Sequence, residues 1–548
     1  MRTVFDFAAK RAELSPEAIA FVEHDTGRRL TFADFDDRAE RGAAALGRLG
    51  IGAGERVAIL CHNSPTFFEV LFACGKAAII LVPLNWRQTP AELTPILANC
   101  GARLLLHDAA TAELAGALAK AGDVRRIDFS AYETLIANET RAFGLGSPPP
   151  LWGRDRAGGI AEHPTSGLPP PLSPPHVVSK TRLRHDGEGN PRNTAWPTDR
   201  IWYLLYTSGT TGRPKAVIQT VGMALANYVN VQQATGLTAA DTTVNFLPLF
   251  HTAGINLHTL PLFLAGGTST VLAKFEVDPL LDLIMQGRVS LFFGVPTIYQ
   301  ALSLSPRLAA TDLTKVRHWG CGGAPLPESL IRAFLARGVR VCNGMGMTET
   351  GPTVFLMDPA HAAGKIGSVG KPQLLSEVRL VDTAGRDVAA GEQGEILFRG
   401  PGITPGYFNN PDATRAAIDP DGWLHSGDVG RRDAEGYYYV VDRIKDMYIS
   451  GGENVYPAEV EAVLTDHEAV LEAAVIGVPD TRWGEVGHAA VRLRPGAACD
   501  PEALRTFARL RLAAYKVPEH VTIVDDYPRT AAGKVQKHLL RQTLRQPE

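Results

Sequence analysis

Cysteine pairs, net charge and long apolar segments are all scarce in this sequence. Its six cysteines are scattered without a CxxC pair, which argues against a disulfide framework or a zinc site and fits a reducing compartment. A net charge of -3 gives no electrostatic footprint for nucleic acid. The apolar stretch at 77–82 is cut short by Pro83, so it cannot span a bilayer, and the first residues lack the apolar core of a signal peptide. We therefore expect a cytoplasmic protein with no nucleic-acid partner and no membrane span.

The length of the chain predicts more than one domain, because 548 residues exceed what one hydrophobic core usually supports. Strand-length apolar runs alternate with amphipathic helical segments, of which 30–49 is an example, with Phe35, Ala39, Ala43 and Leu46 on one stripe. A further helix is expected at 91–98, although Pro95 disfavours its first turns. This alternation predicts an α/β fold with parallel sheets covered by helices on both faces.

The character of the chain changes twice after these repeats. Residues 370–441 alternate as strands between glycine- and proline-rich turns, which predicts a small antiparallel, β-barrel-like unit. Residues 447–548 carry their own apolar faces, including a helix that starts at Pro457, and predict a small α+β domain.

A proline-rich segment, 145–198, interrupts the regular pattern. Eleven prolines fall between Pro148 and Pro197, and periodic apolar positions are almost missing. We interpret the segment as an unstructured or extended linker. A functional lid and a local reading-frame error are the alternatives, and the sequence does not choose between them.

One stretch, 206–217, stands out for its glycine and hydroxyl content. It follows the apolar run 201–205, which predicts a buried strand. Successive N–H groups in such a loop form an anion-binding concavity, and a lysine adds positive charge. The loop is not a Walker A motif, because its two glycines are only three positions apart. An ordinary surface loop is the plainer alternative. The candidate phosphate-binding residues are Thr207, Ser208, Gly209, Thr210, Thr211, Gly212 and Lys215.

Further motifs follow the loop in a set order. They are Leu249–His251, Gly322–Pro325, Gly344–Thr350, Trp423–Asp428, Asp442–Asp446, Gly451–Asn454 and Pro528–Lys534. Together the ordered set resembles the adenylate-forming superfamily of acyl-CoA synthetases, adenylation domains and luciferases, over nearly the whole chain except about 145–198. Residues 451–457 and 480–485 are most similar to acyl- and aryl-CoA ligases.

The resemblance implies an ATP-dependent acid–thiol ligase. Such an enzyme converts a carboxylic acid to an acyl-adenylate and then passes the acyl group to CoA, with release of AMP and pyrophosphate. The barrier to the first step is repulsion between a carboxylate and a triphosphate, so catalysis should come from positioning, cations and N–H donors. The implied cofactors and partners are ATP, Mg²⁺, CoA and a small carboxylic acid.

Roles for individual residues follow from the same resemblance. Glu349 would hold Mg²⁺, a hard cation that prefers oxygen ligands, and Thr348 would contact the α-phosphate. Asp428 would accept hydrogen bonds from the ribose hydroxyls, and Arg443 would reach the ribose or phosphate. Lys534 resembles the catalytic lysine that bridges the carboxylate and the α-phosphate. Other implied nucleotide-binding residues are Gly323, Ala324, Met345 and Gly346.

Met345 departs from the family pattern, which usually has an aromatic residue against adenine at this position. A thioether packs on the ring with a weaker and more adaptable contact. The consequence of Met345 for nucleotide binding is left open.

The resemblance also implies that one active site serves two half-reactions. Lys445 sits at the hinge position of the family, and rotation about it would withdraw Lys534 and present Gly451 and Gly452 to the pantetheine arm of CoA. Glycines suit a narrow thiol channel because they have no Cβ atom. The implied division is an N-terminal AMP-binding domain at 1–441, a hinge at 442–446 and a C-terminal lid domain at 447–548.

The acyl pocket is expected beside the aromatic–histidine motif. His251 is interpreted as a gate or a neighbour of the carboxylate, with a core histidine as the alternative. The surrounding stretches are apolar and carry no obvious cation, which favours a monocarboxylate, aromatic or of short to medium chain length, over a malonate-like diacid. The candidate lining residues are Phe250, His251, Phe293, Gly322 and Gly344.

Two other functions remain open at this point. One is an adenylation enzyme that loads a carrier protein, and the other is a catalytically impaired paralogue that binds a nucleotide. A homodimer is a further hypothesis.

Overall fold

The computed structural model describes residues 1–139, 195–207, 214–530 and 533–544. Only the last four residues of the predicted linker at 145–198 fall within this part of the chain. Most of the predicted phosphate loop, 208–213, also lies outside it.

The strands are numbered in chain order over the described residues. The first thirteen are β1 (Thr3–Val4), β2 (Ile19–Glu23), β3 (Arg29–Thr31), β4 (Arg56–Leu60), β5 (Ile80–Pro83), β6 (Leu104–His107), β7 (Arg125–Asp128), β8 (Trp196–Pro197), β9 (Ile201–Thr207), β10 (Lys215–Thr220), β11 (Thr242–Asn245), β12 (Thr268–Val271) and β13 (Leu291–Gly294). The others are β14 (His318–Cys321), β15 (Val341–Met345), β16 (Phe355–Leu356), β17 (Lys371–Pro372), β18 (Glu377–Val381), β19 (Gln393–Arg399), β20 (Leu424–Arg432), β21 (Tyr438–Arg443), β22 (Tyr448–Ser450), β23 (Glu453–Val455), β24 (Val470–Asp480), β25 (Gly484–Leu493) and β26 (His520–Ile523).

The helices of the same residues are numbered in the same way. They are α1 (Phe7–Leu14), α2 (Phe32–Arg48), α3 (Pro65–Lys76), α4 (Pro90–Cys100), α5 (Ala112–Gly122), α6 (Phe129–Ala137), α7 (Val221–Thr235), α8 (Thr252–Asn256), α9 (Thr259–Ala265), α10 (Val277–Met285), α11 (Pro296–Leu304), α12 (Glu328–Leu335), α13 (Pro411–Ala417), α14 (Pro457–Thr465), α15 (Pro501–Arg509) and α16 (Lys537–Leu544).

Two largely parallel sheets form the body of the N-terminal part. Over the described residues, one has nine strands in the order β17-β16-β15-β14-β13-β11-β12-β2-β3 and the other has six in the order β10-β9-β5-β4-β6-β7. Helix α3 is buried along almost its whole length because it packs between them. Its Phe68 stacks on Phe21 of β2, and its Phe72 lies edge-on to Trp202 of β9. The main core therefore joins the two sheets.

Two smaller sheets complete the fold. Strands β18 to β21 form a four-stranded antiparallel sheet in sequence order. Strands β22 to β26 form a separate sheet, packed against α14 and α15 around its own apolar cluster. The change from one sheet to the other falls between Arg443 and Tyr448. The predicted fold, a large α/β domain followed by a small α+β domain, is confirmed.

Candidate functional site

The predicted phosphate loop closes an antiparallel hairpin. Strand β9 ends at Thr207, which pairs directly with Lys215 at the start of β10. The ammonium nitrogen of Lys215 lies 5.1 Å from the ring centre of Tyr407. Because Ser208, Gly209, Thr210, Thr211 and Gly212 are outside the described residues, their phosphate-binding roles stay predictions.

Glu349 is a buried carboxylate beside this hairpin. It lies in a single helical turn, 348–350, and only 7% of its surface is exposed. Burial raises the pKa of its carboxyl group, whereas a hydrogen bond from Tyr407 and the charges of Arg443 and Lys215 lower it. Mg²⁺ prefers carboxylate and phosphate oxygens as ligands, and this carboxylate lies close enough to Lys215 at the start of β10 for their charges to interact.

Tyr407 connects Glu349 with the strand that follows the phosphate loop, a contact that could not be predicted from the sequence. Its hydroxyl group donates a hydrogen bond of 2.9 Å to Oε1 of Glu349. The neighbouring backbone is held at both sides, since Thr404 N–H donates to the Glu349 carbonyl and Phe408 N–H donates to the Ala216 carbonyl, each at 2.8 Å. The segment 404–408 therefore fixes the carboxylate relative to β10.

Asp428 and Arg443 face each other because the register of β20 and β21 makes them cross-strand partners. Nε of Arg443 donates to Oδ1 of Asp428 at 3.1 Å, and Asp428 is only 7% exposed. Burial raises the pKa of the Asp428 carboxyl group, and the charges of Arg443 and Lys534 oppose this rise. The second oxygen of the carboxylate is not used in this ion pair.

Lys534 reaches the same region from the C-terminal part of the chain. Its loop is closed by two hydrogen bonds with Thr530, one in each direction, at 2.7 and 3.1 Å. Burial and Arg443 lower the pKa of its ammonium group to about 8, whereas Asp428 and Glu349 raise it. Residues more than ninety positions apart in the sequence thus share one electrostatic environment.

The glycines of the predicted acyl and nucleotide pocket are required by close backbone contacts. A Cβ atom at Gly322 would lie 2.8 Å from the Gly344 carbonyl oxygen and 3.0 Å from Cζ of Phe293. One at Gly346 would lie 1.6 Å from the Pro352 carbonyl oxygen, so no side chain fits there. Phe293 is almost fully buried against this glycine surface.

Other predicted pocket residues differ in their exposure. Phe250 is buried, whereas Gly323 and Ala324 lie at the surface. Met345 is half-buried and packs against the apolar cluster that contains Phe355. Thr348 is half-buried, and its carbonyl accepts a hydrogen bond of 2.9 Å from the side chain of Gln219.

His251 directly precedes α8, its ring lies 4.9 Å from that of Phe250, and its side chain is uncharged. Burial, together with the charges of Lys534 and Arg87, lowers its pKa to about 4, so its imidazole is neutral at pH 7. Its Nε2 is buried and has no hydrogen-bond partner among the described residues. The alternative of a core histidine with a satisfied partner is therefore not favoured. Sequence reasoning missed Arg87, whose charge reaches His251 only through the tertiary fold.

The predicted hinge and CoA residues are exposed. Lys445 follows the end of β21, and Gly451 and Gly452 form the tight turn between β22 and β23, with φ angles of +61° and +89°. A Cβ atom at Gly451 would lie 3.1 Å from the ring of Trp483, whereas one at Gly452 would meet nothing within 4 Å. The carboxylate of Asp442, three residues before Lys445, accepts hydrogen bonds from the backbone N–H groups of Arg443 and of Ala458 at the start of α14.

Cations and buried carboxylates of the large and small domains therefore lie close enough for their charges to interact. This arrangement is typical of an enzyme that binds a nucleotide between two domains. Among the described residues, no group of three or more histidine, cysteine, aspartate or glutamate side chains could hold a metal ion by itself. A site with one carboxylate fits Mg²⁺ bound jointly with a nucleotide, because this ion usually keeps few protein ligands.

Comparison with known proteins agrees with this class. The family described as AMP-binding enzyme matches residues 8–408, and the AMP-binding enzyme C-terminal domain matches 459–534. A feruloyl-CoA synthase from an Amycolatopsis species is 41% identical over 532 residues, 97% of each chain. An indoleacetate–CoA ligase from Aromatoleum aromaticum is 35% identical over 535 residues, 97% of this chain and 96% of the relative.

A solved structure resembles the whole chain. The o-succinylbenzoate CoA synthetase of Bacillus subtilis, in complex with its acyl-adenylate intermediate, has a TM-score of 0.82 and 29% identity, and the match covers 100% of this chain and 99% of that one. Another structure of that enzyme contains ATP and a magnesium ion.

The chain belongs to the AMP-binding enzyme family. The expected resemblance to adenylate-forming enzymes is confirmed, as is the class of acid–thiol ligase with ATP, Mg²⁺, CoA and a carboxylic acid as its cofactors and substrates. Among the residues that the structure describes, no helix is long and apolar enough to cross a membrane. The cytoplasmic location and the homodimer stay predictions.

Proposed function

We propose that this protein activates an aromatic monocarboxylic acid as an acyl-adenylate and transfers the acyl group to CoA. The observation that carries this proposal is the approach of Lys534, from the C-terminal part of the chain, to Asp428 and Glu349 of the large domain, close enough for their charges to alter its pKa. When a small, separately packed domain completes an active site, that domain can rotate and present a different face in each of two reactions.

In the first half-reaction, the carboxylate of the acid attacks the α-phosphorus of ATP and pyrophosphate leaves. Both reactants are anions, so cations that neutralise them lower the barrier. Lys534 bridges the carboxylate and the α-phosphate, and Lys215 with the hydroxyl-rich loop holds the outer phosphates. Asp428 accepts hydrogen bonds from the ribose, oriented by its ion pair with Arg443. The neutral His251 can form a hydrogen bond with the carboxylate of the acid without forming an ion pair with it.

Magnesium supplies charge neutralisation on the phosphate oxygens when it is bound. Glu349 is the residue that would hold it, because its carboxylate oxygens are ligands that Mg²⁺ prefers and lie near Lys215 at the start of β10. Thr348 lies next to it and would contact the α-phosphate.

In the second half-reaction, the thiolate of CoA attacks the acyl carbon and AMP leaves. We assign the domain change to the hinge at 442–446, with Lys445 as its pivot, between the N-terminal domain at 1–441 and the C-terminal domain at 447–548. The switch from one sheet to another between Arg443 and Tyr448 supports this division. Gly451 and Gly452 would then face the pantetheine arm.

An aromatic acid is favoured by the pocket and by the relatives. Phe250 and Phe293 are buried, and Phe293 lies against backbone that glycines leave open; flat rings pack well on such surfaces. Two relatives that match nearly the whole chain are named for feruloyl and indoleacetate substrates. A short or medium aliphatic acid is the second candidate.

A panel of carboxylic acids tests the proposal. Pyrophosphate release would be measured with each acid, ATP and Mg²⁺, and thioester formation after addition of CoA. We expect aromatic monocarboxylates to give the highest kcat/KM and to yield CoA thioesters. Pyrophosphate release without any CoA thioester would favour an enzyme that loads a carrier protein. No pyrophosphate release with any acid would favour an impaired paralogue.

The protonation of Lys534 predicts how adenylation depends on pH. The charged form is the active one and predominates below its pKa of about 8. We therefore expect kcat/KM for adenylate formation to be level below this pH and to fall about tenfold per pH unit above it. The variant Lys534→Arg, which stays charged, should be slower but should lack this fall. A level wild-type profile up to about pH 10 would contradict the assignment.

Tyr407 predicts a change in magnesium dependence. The variant Tyr407→Phe removes the hydrogen bond to Glu349 and keeps the ring under Lys215. We expect the apparent KM for magnesium–ATP to rise about tenfold, because a hydrogen bond to a charged group is lost, with a smaller change in kcat. The matched control is Tyr437→Phe, which removes a hydroxyl bond to Asp358 outside the site. Equal magnesium dependence in both variants would count against the role of Tyr407.

A further inference from the structure

A small cavity lies behind the predicted acyl pocket. Phe293 forms one wall, while Asn245, Gly254, His258 and Thr259 contribute to the others. About 10 Å³ is open to the centre of a water-sized sphere, which is room for about one water molecule or one hydroxyl group. Since Phe293 also packs against Gly322 of the acyl pocket, the cavity and the pocket share one wall.

His258 is the polar group of this cavity that lacks a partner. Its side chain is 93% buried, and its Nδ1 has no hydrogen-bond partner among the described residues. Its neighbours are already engaged: the amide nitrogen of Asn245 donates to the Gly254 carbonyl at 2.7 Å and to the Thr259 hydroxyl at 2.6 Å, and its oxygen accepts from Asn63. Buried polar groups are usually satisfied, so a ligand atom is a natural partner for His258.

The surroundings of His258 keep its ring neutral. Burial, His318 and Arg317 lower its pKa to about 3, and Asp241 opposes them only weakly. A neutral imidazole offers one acceptor and one donor, and a hydroxyl group can satisfy either. The nearby Arg317 is already paired with Asp241, so a second carboxylate would gain no free cation from it, and an alkyl chain would leave Nδ1 unpaired at a cost.

The spacing between His251 and His258 suits an elongated aromatic acid. The two residues flank the five-residue helix α8, which is about 7.5 Å long. An aryl acid with a short spacer between its ring and its carboxylate has a comparable length. Such an acid can place its carboxylate near His251 and a ring substituent near His258.

We propose that His258 forms the far end of the acyl site and hydrogen-bonds a hydroxyl group on the ring of the aromatic acid. The protein then prefers hydroxylated aryl carboxylic acids to their unsubstituted counterparts. This inference rests on the proposed function, because it assumes that the pocket beside Phe293 holds the acyl group. It adds the chemical feature by which the acid is recognised.

Two matched acids test this inference on the full-length protein. With 4-hydroxycinnamic acid and cinnamic acid, kcat/KM for pyrophosphate release would be measured for the wild type and for His258→Phe. We expect the wild type to prefer the hydroxylated acid by about tenfold or more, which corresponds to one buried hydrogen bond. In His258→Phe this preference should vanish through loss of activity with the hydroxylated acid, while activity with cinnamic acid is kept.

Further variants keep the test decisive. His258→Gln retains a hydrogen-bonding group and should recover part of the preference, and it replaces the phenylalanine variant if that protein does not fold. His361→Phe, at an exposed histidine, should keep the wild-type preference. A wild type that does not distinguish the two acids, or a preference that survives in His258→Phe, would overturn the inference. If neither these acids nor any other supports pyrophosphate release, the proposed function itself fails.

Discussion

Replacement of Lys534 by alanine is expected to lower the rate of acyl-adenylate formation about 100- to 1,000-fold, the loss typical of removing one group that stabilises charge in a transition state. Lys534 belongs to the C-terminal part of the chain, and its ammonium group interacts electrostatically with both Asp428 and Glu349. Without it, the attacking carboxylate and the α-phosphate repel each other across the gap it would bridge. The measurement is single-turnover formation of the adenylate from ATP and acid.

The same variant should form the thioester normally from a supplied acyl-adenylate and CoA. The proposed domain rotation would withdraw Lys534 from the site in the second half-reaction, so its side chain would have no part in that step. The matched control is Lys516→Ala, which removes a surface ion pair with Glu459 in the same domain and should leave both steps unchanged. Equal loss of the two steps in Lys534→Ala would refute its assignment to adenylation alone.

A tryptophan at Gly452 is expected to block the second half-reaction selectively. In this structure the position is exposed and a Cβ atom there would meet nothing within 4 Å, so folding and adenylate formation should continue. After domain rotation, the same surface would face the pantetheine arm. A displaced thiol should then lower the thioester rate about 100-fold, because small errors in placement have effects of this size.

The control for this variant is Gly452→Ala. With φ at +89°, any side chain at this position strains the backbone, so alanine reproduces the strain without the bulk. The thioester rate from a supplied adenylate should be near the wild-type value in Gly452→Ala and low in Gly452→Trp. Equal rates in the two variants would mean that the turn does not border the thiol channel.

Helices in which apolar residues recur at regular spacing were predictable from the sequence. Phe35, Ala39 and Leu46 are buried in α2 as expected, whereas Ala43, also predicted on this stripe, is only half-buried. Helix α4 continues through Pro95, contrary to the expectation of a weakened start, because Thr89 and Glu92 form a capping box and the helix buries an apolar stripe. The carbonyl that loses its donor to the proline belongs to Ala91, which is exposed to water.

The site was only partly predictable, because some of its contacts depend on tertiary structure alone. The family resemblance of the motifs indicated Glu349, Asp428 and Lys534, which the fold brings together. No spacing connects Tyr407 with Glu349, since the contact depends on how the segment 404–408 crosses β10. The unpaired nitrogen of His258 was equally hidden, because a histidine in an apolar run gives no sign of whether a partner lies beside it.

A product balance for the complete reaction tests the proposed function most directly. The purified protein would be incubated with 4-hydroxycinnamic acid, ATP, Mg²⁺ and CoA, and the products quantified by mass spectrometry and a pyrophosphate assay. If the proposed function is correct, AMP, pyrophosphate and the aryl-CoA thioester form in equal amounts, and acyl-adenylate accumulates when CoA is left out. Formation of ADP and phosphate, or release of pyrophosphate without any thioester, would contradict it.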